Sequence, residues 1–213
     1  MNEGKSVINV AFNISNPLHD LIIKISLEIR DEYGSEWYVD DERYFLHYPL
    51  YLFAAPKRNE AKITEVAKNF GDILHRVEVE SEEVFFNGGG LVMIKFKDNN
   101  KTYDYHQKAL QLFNPLREGC QRDKYENESY RKTLPSDDQD KLNKYGHIYV
   151  LDRYESHITI ARVRDLDVCQ LLVNKYRKRL IGQKAMIDRL QVHEAVFGPE
   201  GKTVLIVDQA LKN

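Results

Sequence analysis

A chain of 213 residues, 42% apolar and 11% aromatic, is long enough for one sizeable core or two small lobes sharing a cleft. Its 31 basic and 33 acidic residues leave a net charge of −2, which excludes a general basic field, so any nucleic-acid partner must be recognised at a local site. Cys120 and Cys169 stand in no metal-ligand or CxxC spacing, and no stretch approaches a signal peptide or the ~20 apolar residues of a membrane helix, so a soluble, cytoplasmic protein without a membrane partner is expected.

Val7 to Ile14 alternates apolar with small polar residues and reads as a first strand. Pro17 opens a helix that runs amphipathically to Gly34. "RYFLHYPLYLFAAP" is a β-type run ending at Pro56, and a helix follows from about Glu60 to Leu74. "RVEVESEEVFFNGGGLVMIKFKD" reads as two strands joined by a turn at Asn87 to Gly90. Residues 102 to 117 read as a helix weakened by Pro115. Glu118 to Gly146 is highly charged and reads as a linker or insertion. Then come "HIYVLDRYESHITIARV", a helix near Asp167 to Ile181, and two strands around "GPEG".

The two halves share an order: a strand run with a histidine, a helix, then a two-stranded unit with a glycine turn. Aligning the two-stranded units pairs Arg76 with Arg189 and Phe86 approximately with Phe197, and the spacing from His47 to Arg76, 29 residues, is close to the 32 from His157 to Arg189. This points to an internal duplication in which His47 and His157 are equivalent.

Strict alternation places His157, Thr159 and Ala161 on one strand face and Ile158, Ile160 and Arg162 on the other. It likewise groups His47, Pro49 and Tyr51, opposite Leu46, Tyr48, Leu50 and Leu52. The apolar sets claim the core, leaving each histidine on the opposite face. His19, His75, His106 and His193 read as solvated or structural, and His147 has no supporting pattern. The NGGGL turn lacks the order of a dinucleotide loop and the lysine of a P-loop.

"HITI" matches the H-x-[ST]-hydrophobic motif of the 2H phosphoesterases, which include the 2′-5′ RNA ligase-like proteins and cyclic phosphodiesterases. "FGPEGKTVLIVDQAL" resembles that family's closing hairpin, and the likeness runs from Val7 to about Asp208, excluding 118–146. "HYPL" departs from the motif, with Pro49 where the family has threonine or serine.

The resemblance implies an α+β, bilobal, duplicated fold with two antiparallel sheets, outer helices and a central cleft. It implies one domain over 1–213, with lobe one at about 15–100, lobe two at about 146–200, and terminal strands exchanged. His47 and His157 would act as general acid and base on a phosphodiester, with Thr159 bonding a non-bridging oxygen. Tyr51 either replaces the hydroxyl missing at Pro49 or packs as an ordinary aromatic. No metal or other cofactor is implied. The expected partner is a nucleotide or RNA-end phosphate bound by a monomer: either a 2′,3′-cyclic phosphate, a 2′-5′ linkage or a related cyclic nucleotide is hydrolysed, or an impaired site merely binds it.

Overall fold

β1 (Lys5–Ile14) buries Ile8, Val10, Phe12 and Ile14 on one face, and α1 (Leu18–Tyr33) buries Ile22, Ile25 and Ile29 at helical spacing before ending at Gly34. The structure is a computed structural model describing residues 4–195 and 201–213; Phe197 and most of the expected GPEG turn lie outside them. The chain continues through β2 (Trp37–Tyr38), β3 (Tyr48–Pro56), α2 (Glu60–Gly71), β4 (Val77–Phe86), β5 (Leu91–Phe96) and α3 (Asn100–Phe113). Three short helices follow, α4 (Asp123–Glu126), α5 (Glu128–Lys132) and α6 (Ser136–Tyr145), and then β6 (His157–Arg162), α7 (Leu166–Leu180), β7 (Lys184–Ala195) and β8 (Thr203–Ala210).

The fold is α+β. The eight strands pair antiparallel in one continuous sheet, ordered β2-β6-β5-β4-β7-β1-β3, with β8 also on β7. The joint lies between β4 and β7: Val77 to Glu80 pairs with Lys184 to Ile187, after which β4 turns to β5 and β7 to β8. Each histidine-bearing segment therefore lies among the other half's strands: β3 reaches β7 through β1, and β6 pairs with β5. α1 packs on β6, α7 on β4 and β5, α2 on β7 and β8, and α3 on β3. At the β4–β5 turn Gly90 has φ +73°, and a Cβ there would lie 1.9 Å from the Val163 carbonyl oxygen, so only glycine lets the turn close against the end of β6.

Both histidine strands carry a bulge at the same place. Val10 pairs with Tyr51 but Ala11 with Pro49, which leaves Leu50 as the extra residue. Val92 pairs with Ala161 but Met93 with Thr159, which leaves Ile160. Each bulge is the third residue after its histidine, and each shifts the alternation by one. Tyr51 thus falls on the buried side with Val10 and Phe53, and Leu52 takes the histidine face. Ala161 falls on the buried side with Val92, and Arg162 comes round to the face of His157 and Thr159. The strict-alternation assignments of Tyr51, Leu52, Ala161 and Arg162 are corrected accordingly.

A bulge takes a carbonyl out of register with the ladder, and here a helix side chain meets each one. His106 Nδ1 of α3 donates to the Leu50 carbonyl at 2.6 Å, while its Nε2 accepts from the Leu151 amide at 3.0 Å. Ser26 Oγ of α1 donates to the Ile160 carbonyl at 2.8 Å and accepts from the Val39 amide at 2.8 Å. Both side chains are fully buried. Each gives one bond and receives one, which satisfies buried backbone groups that would otherwise be costly.

Because His106 needs Nε2 unprotonated, its pKa is pushed down, to about 4, chiefly by burial. Its unfolded value is near 6.5, so the unfolded chain binds the extra proton first and stability falls as the pH drops from about 6.5 towards 4. Urea midpoints are expected to fall between pH 7 and pH 5, and less steeply in His106→Gln, whose amide can still give and receive a bond. Equal slopes would contradict this role.

The charged segment 118–146 folds around its own small core of Tyr125, Leu142 and Ile148. The buried Arg117 guanidinium holds both ends, donating to the carbonyls of Cys120 at 2.6 Å, Asn143 at 2.9 Å and Lys144 at 3.2 Å.

Candidate active site

His47 immediately precedes β3 and His157 begins β6, and both line one cleft of about 420 Å³. Thr159, Pro49, Leu52, Asn9, Met93 and Tyr154 line it too. His47 Nδ1 bonds the carbonyl of Phe45 at 3.0 Å, and His157 Nδ1 bonds that of Glu155 at 2.8 Å. Each ring thus bonds the carbonyl two residues before it. In the neutral form a carbonyl partner requires the proton on Nδ1, which leaves the Nε2 lone pair available. Neither Nε2 has a hydrogen-bond partner among the described residues.

Burial lowers the pKa of His47, and the neighbouring His157 lowers it further against the pull of the Phe45 carbonyl. Burial also lowers that of His157, opposed by the carbonyl and charge of Glu155. Glu155 is itself ion-paired to Lys95 at 3.1 Å. Two imidazoles within electrostatic reach titrate as a pair, and the singly protonated state provides one base and one acid together.

Of the sequence-predicted residues, His47, His157 and Thr159 are brought together with their strand faces to the cleft. Tyr51 borders the cleft, but its hydroxyl is engaged elsewhere: it donates to the Tyr145 carbonyl at 2.5 Å and bonds Asn114 Oδ1 at 3.0 Å, with the ring stacked on Phe53. Burial pushes its pKa up. Pro49 occupies the place equivalent to Thr159 on the edge strand, beside the bulge, and its carbonyl accepts from the Tyr154 hydroxyl at 3.2 Å. Proline is tolerated there because the edge leaves one side of the backbone unpaired. Arg162 faces the same way as Thr159 but lies beyond the cleft, its Nε 3.2 Å from the Gly89 carbonyl and 3.5 Å from Glu36.

Sequence reasoning missed several lining residues. Asn9 of β1 has a buried Oδ1 without a partner among the described residues. His193 of β7 is buried behind the site, its ring centroid 6.4 Å from that of His47 and 5.5 Å from that of Phe45, with neither nitrogen bonded among the described residues. Arg122, Lys124, His147 and Tyr149 enter the cleft from the charged segment and the turn after it. No spacing signalled them, because the fold of that segment places them. Among the described residues, no three His, Cys, Asp or Glu side chains converge as metal ligands, and no helix is long and apolar enough to cross a membrane.

A family described as a protein of unknown function, DUF1045, matches residues 46–195, a span that includes both histidines. The chain belongs to this family. No curated protein matches the sequence of this DUF1045 member. Its fold is similar to that of TT0787 of Thermus thermophilus, with a TM-score of 0.61 at 10% identity over 98% of each chain. It is also similar to E. coli LigT complexed with 3′-AMP, with a TM-score of 0.57 at 10% identity, covering 99% of this chain and 100% of LigT. A structure described as a phosphoesterase scores 0.54 at 10% identity over 98% of this chain and 99% of its own. At such identities the likeness establishes the fold, and it is the LigT-like fold that the motif resemblance implied.

Proposed function

We propose that this DUF1045 protein is a phosphoesterase of the 2H type. It hydrolyses a phosphodiester at a nucleotide or RNA end, such as a 2′,3′-cyclic phosphate or a 2′-5′ linkage, without a metal. The observation that carries the reading is the matched pair of histidines: one cleft, equivalent strand positions, the same carbonyl anchor on Nδ1 and an available Nε2 on each. One imidazole takes a proton from the attacking water as its oxygen bonds to phosphorus. The other protonates the ribose oxygen as its bond to phosphorus breaks. Thr159 donates to a non-bridging oxygen, where negative charge accumulates. That LigT structures hold 3′-AMP, NADP+, ATP or phosphate supports a nucleotide-type ligand.

Pro49 favours a second reading, in which the cleft binds the same nucleotide or RNA end without turnover, because one of two hydroxyls is absent and Tyr51 does not replace it.

The test is hydrolysis of a panel of nucleoside 2′,3′-cyclic phosphates and 2′-5′ dinucleotides in the presence of chelator, with kcat/KM followed against pH. Both histidine pKa values are lowered from 6.5 by burial, so the singly protonated pair is most populated on the acid side of that value. A bell centred below pH 6.5 is expected in kcat/KM. The kcat bell should lie at higher pH, because bound phosphate favours protonated imidazole. Binding without hydrolysis across the whole panel would overturn the enzymatic reading in favour of the second.

A further inference from the structure

His47 sits just outside β3, and its anchor, the Phe45 carbonyl, belongs to the loop between β2 and β3. The anchor of His157 is held differently. Next to Glu155, the Ser156 carbonyl accepts from the Phe96 amide at the end of β5 at 2.9 Å, so the ladder reaches to the foot of that histidine. The loop before β3 has to provide its own hold.

Asp41 provides it. Its Oδ1 accepts from the Leu46 amide at 3.1 Å, and the Phe45 carbonyl that receives His47 Nδ1 at 3.0 Å is the other end of that same peptide group. One carboxylate and one imidazole thus grip opposite ends of a single planar unit. The carboxylate is itself held, because His19 in the first turn of α1 donates from Nε2 to Asp41 Oδ2 at 3.0 Å, with its Nδ1 3.3 Å from Asp20. Asp41 has φ +61°, which is uncommon for residues other than glycine. The turn closes around it: Asp40 Oδ1 accepts from the amides of Glu42, Arg43 and Tyr44, and the Tyr44 carbonyl accepts from those of Asp40 and Asp41. Such a conformation persists where its surroundings over-determine it. Burial works against ionisation of Asp41, but the bonds from His19 and the Leu46 amide keep its pKa below the usual carboxylate value, so the group is charged at neutral pH.

We propose that Asp41, braced by His19, is a positioning residue for His47: by fixing the Phe45–Leu46 peptide it orients the imidazole, keeps the proton of the neutral ring on Nδ1 and favours the imidazolium. The proposal rests on the phosphoesterase reading in taking His47 as a proton carrier. The physical link is polarisation, since a carboxylate on the N–H end of a peptide makes the carbonyl at its other end a stronger acceptor. A stronger acceptor favours the charged ring. The other titratable groups facing His47 are His157 and His193. Burial lowers the His193 pKa to about 3, so His193 adds no charge there at neutral pH.

The test follows the imidazole nitrogens of His47 by NMR against pH, their signals identified by loss in His47→Ala, with kcat/KM on a 2′,3′-cyclic phosphate measured alongside. In Asp41→Asn the acceptor for Leu46 survives and asparagine suits a positive φ, so the fold should be kept while the charge is lost. The His47 midpoint should move to lower pH, and the limb of the kcat/KM profile that belongs to His47 should move with it. At neutral pH kcat/KM should fall by about 3–10-fold. Asp41→Ala, which also releases the peptide, should cost about 10²-fold. Asp40→Asn removes a neighbouring charge that bonds other amides of the turn, and it should leave the midpoint in place. An unmoved midpoint in Asp41→Asn, or an equal movement in Asp40→Asn, would overturn the proposal even if the rate falls, because turn packing or a general field would then suffice. Should no substrate be hydrolysed, the phosphoesterase reading fails, and the NMR comparison still decides this proposal by the same two outcomes.

Discussion

His157→Ala and His47→Ala are each expected to lower kcat/KM on a 2′,3′-cyclic phosphate by about 10²–10⁴-fold, the range for loss of a positioned acid or base. Both rings are half-exposed at the cleft and give the fold little beyond one bond each to the Phe45 or Glu155 carbonyl. Thermal unfolding should therefore move little, and lost activity can be read as lost chemistry. The double variant should be scarcely worse than either single one, because groups that act as a unit fail together. The pH profile adds a sharper mark. Removing the base should abolish the acid limb and removing the acid the alkaline limb, which assigns the roles that near-symmetry leaves open. Full activity in either single variant would end the two-histidine mechanism.

Thr159→Val is expected to cost about 10²–10³-fold in kcat, with KM changing less, since the hydroxyl is aimed at charge that grows in the transition state. The cost should be undiluted here because the equivalent position holds Pro49 and the Tyr51 hydroxyl is held by Tyr145 and Asn114. Pro49→Thr should raise kcat by roughly tenfold, by supplying the second donor. The site tolerates the change: β3 is an edge strand, the position lies beside a bulge, and threonine keeps the carbonyl that Tyr154 bonds. An unchanged or lower kcat in Pro49→Thr, with the variant folded, would mean that the cleft makes no use of a second hydroxyl.

The order of the main elements was legible because each carries a strong signal: apolar spacing in α1, a glycine turn between β4 and β5, and a proline ending β3. The pairing of His47 with His157 was legible from the repeated order of those elements. What escaped was whatever depends on register. A bulge leaves no mark in a period-two pattern when the extra residue is as apolar as its neighbours, as Leu50 and Ile160 are, so Tyr51 and Arg162 were assigned to the wrong faces. Trp37–Tyr38, two residues long, is too short to show periodicity. The cations at 122 and 124 were indistinguishable in a segment dense in charge, and only its folding around Tyr125 gives them a place. His106 read as a structural histidine, but the bond that makes it one joins α3 to a bulge 56 residues earlier in the chain.

The bulges also set the spelling by which relatives of this chain should be compared. Each histidine strand turns to one side its residues at steps of two and then three, 47, 49 and 52 on one strand and 157, 159 and 162 on the other, of which all but Arg162 line the cleft. The informative third letter is therefore the fifth residue after the histidine, leucine on one strand and arginine on the other. A two-step motif extended by habit would compare Tyr51 with Ala161, two core residues. Variation at those positions would report packing, whereas variation at 52 would report the cleft wall beside His47, and variation at 162 the contacts with Gly89 and Glu36 beyond the cleft.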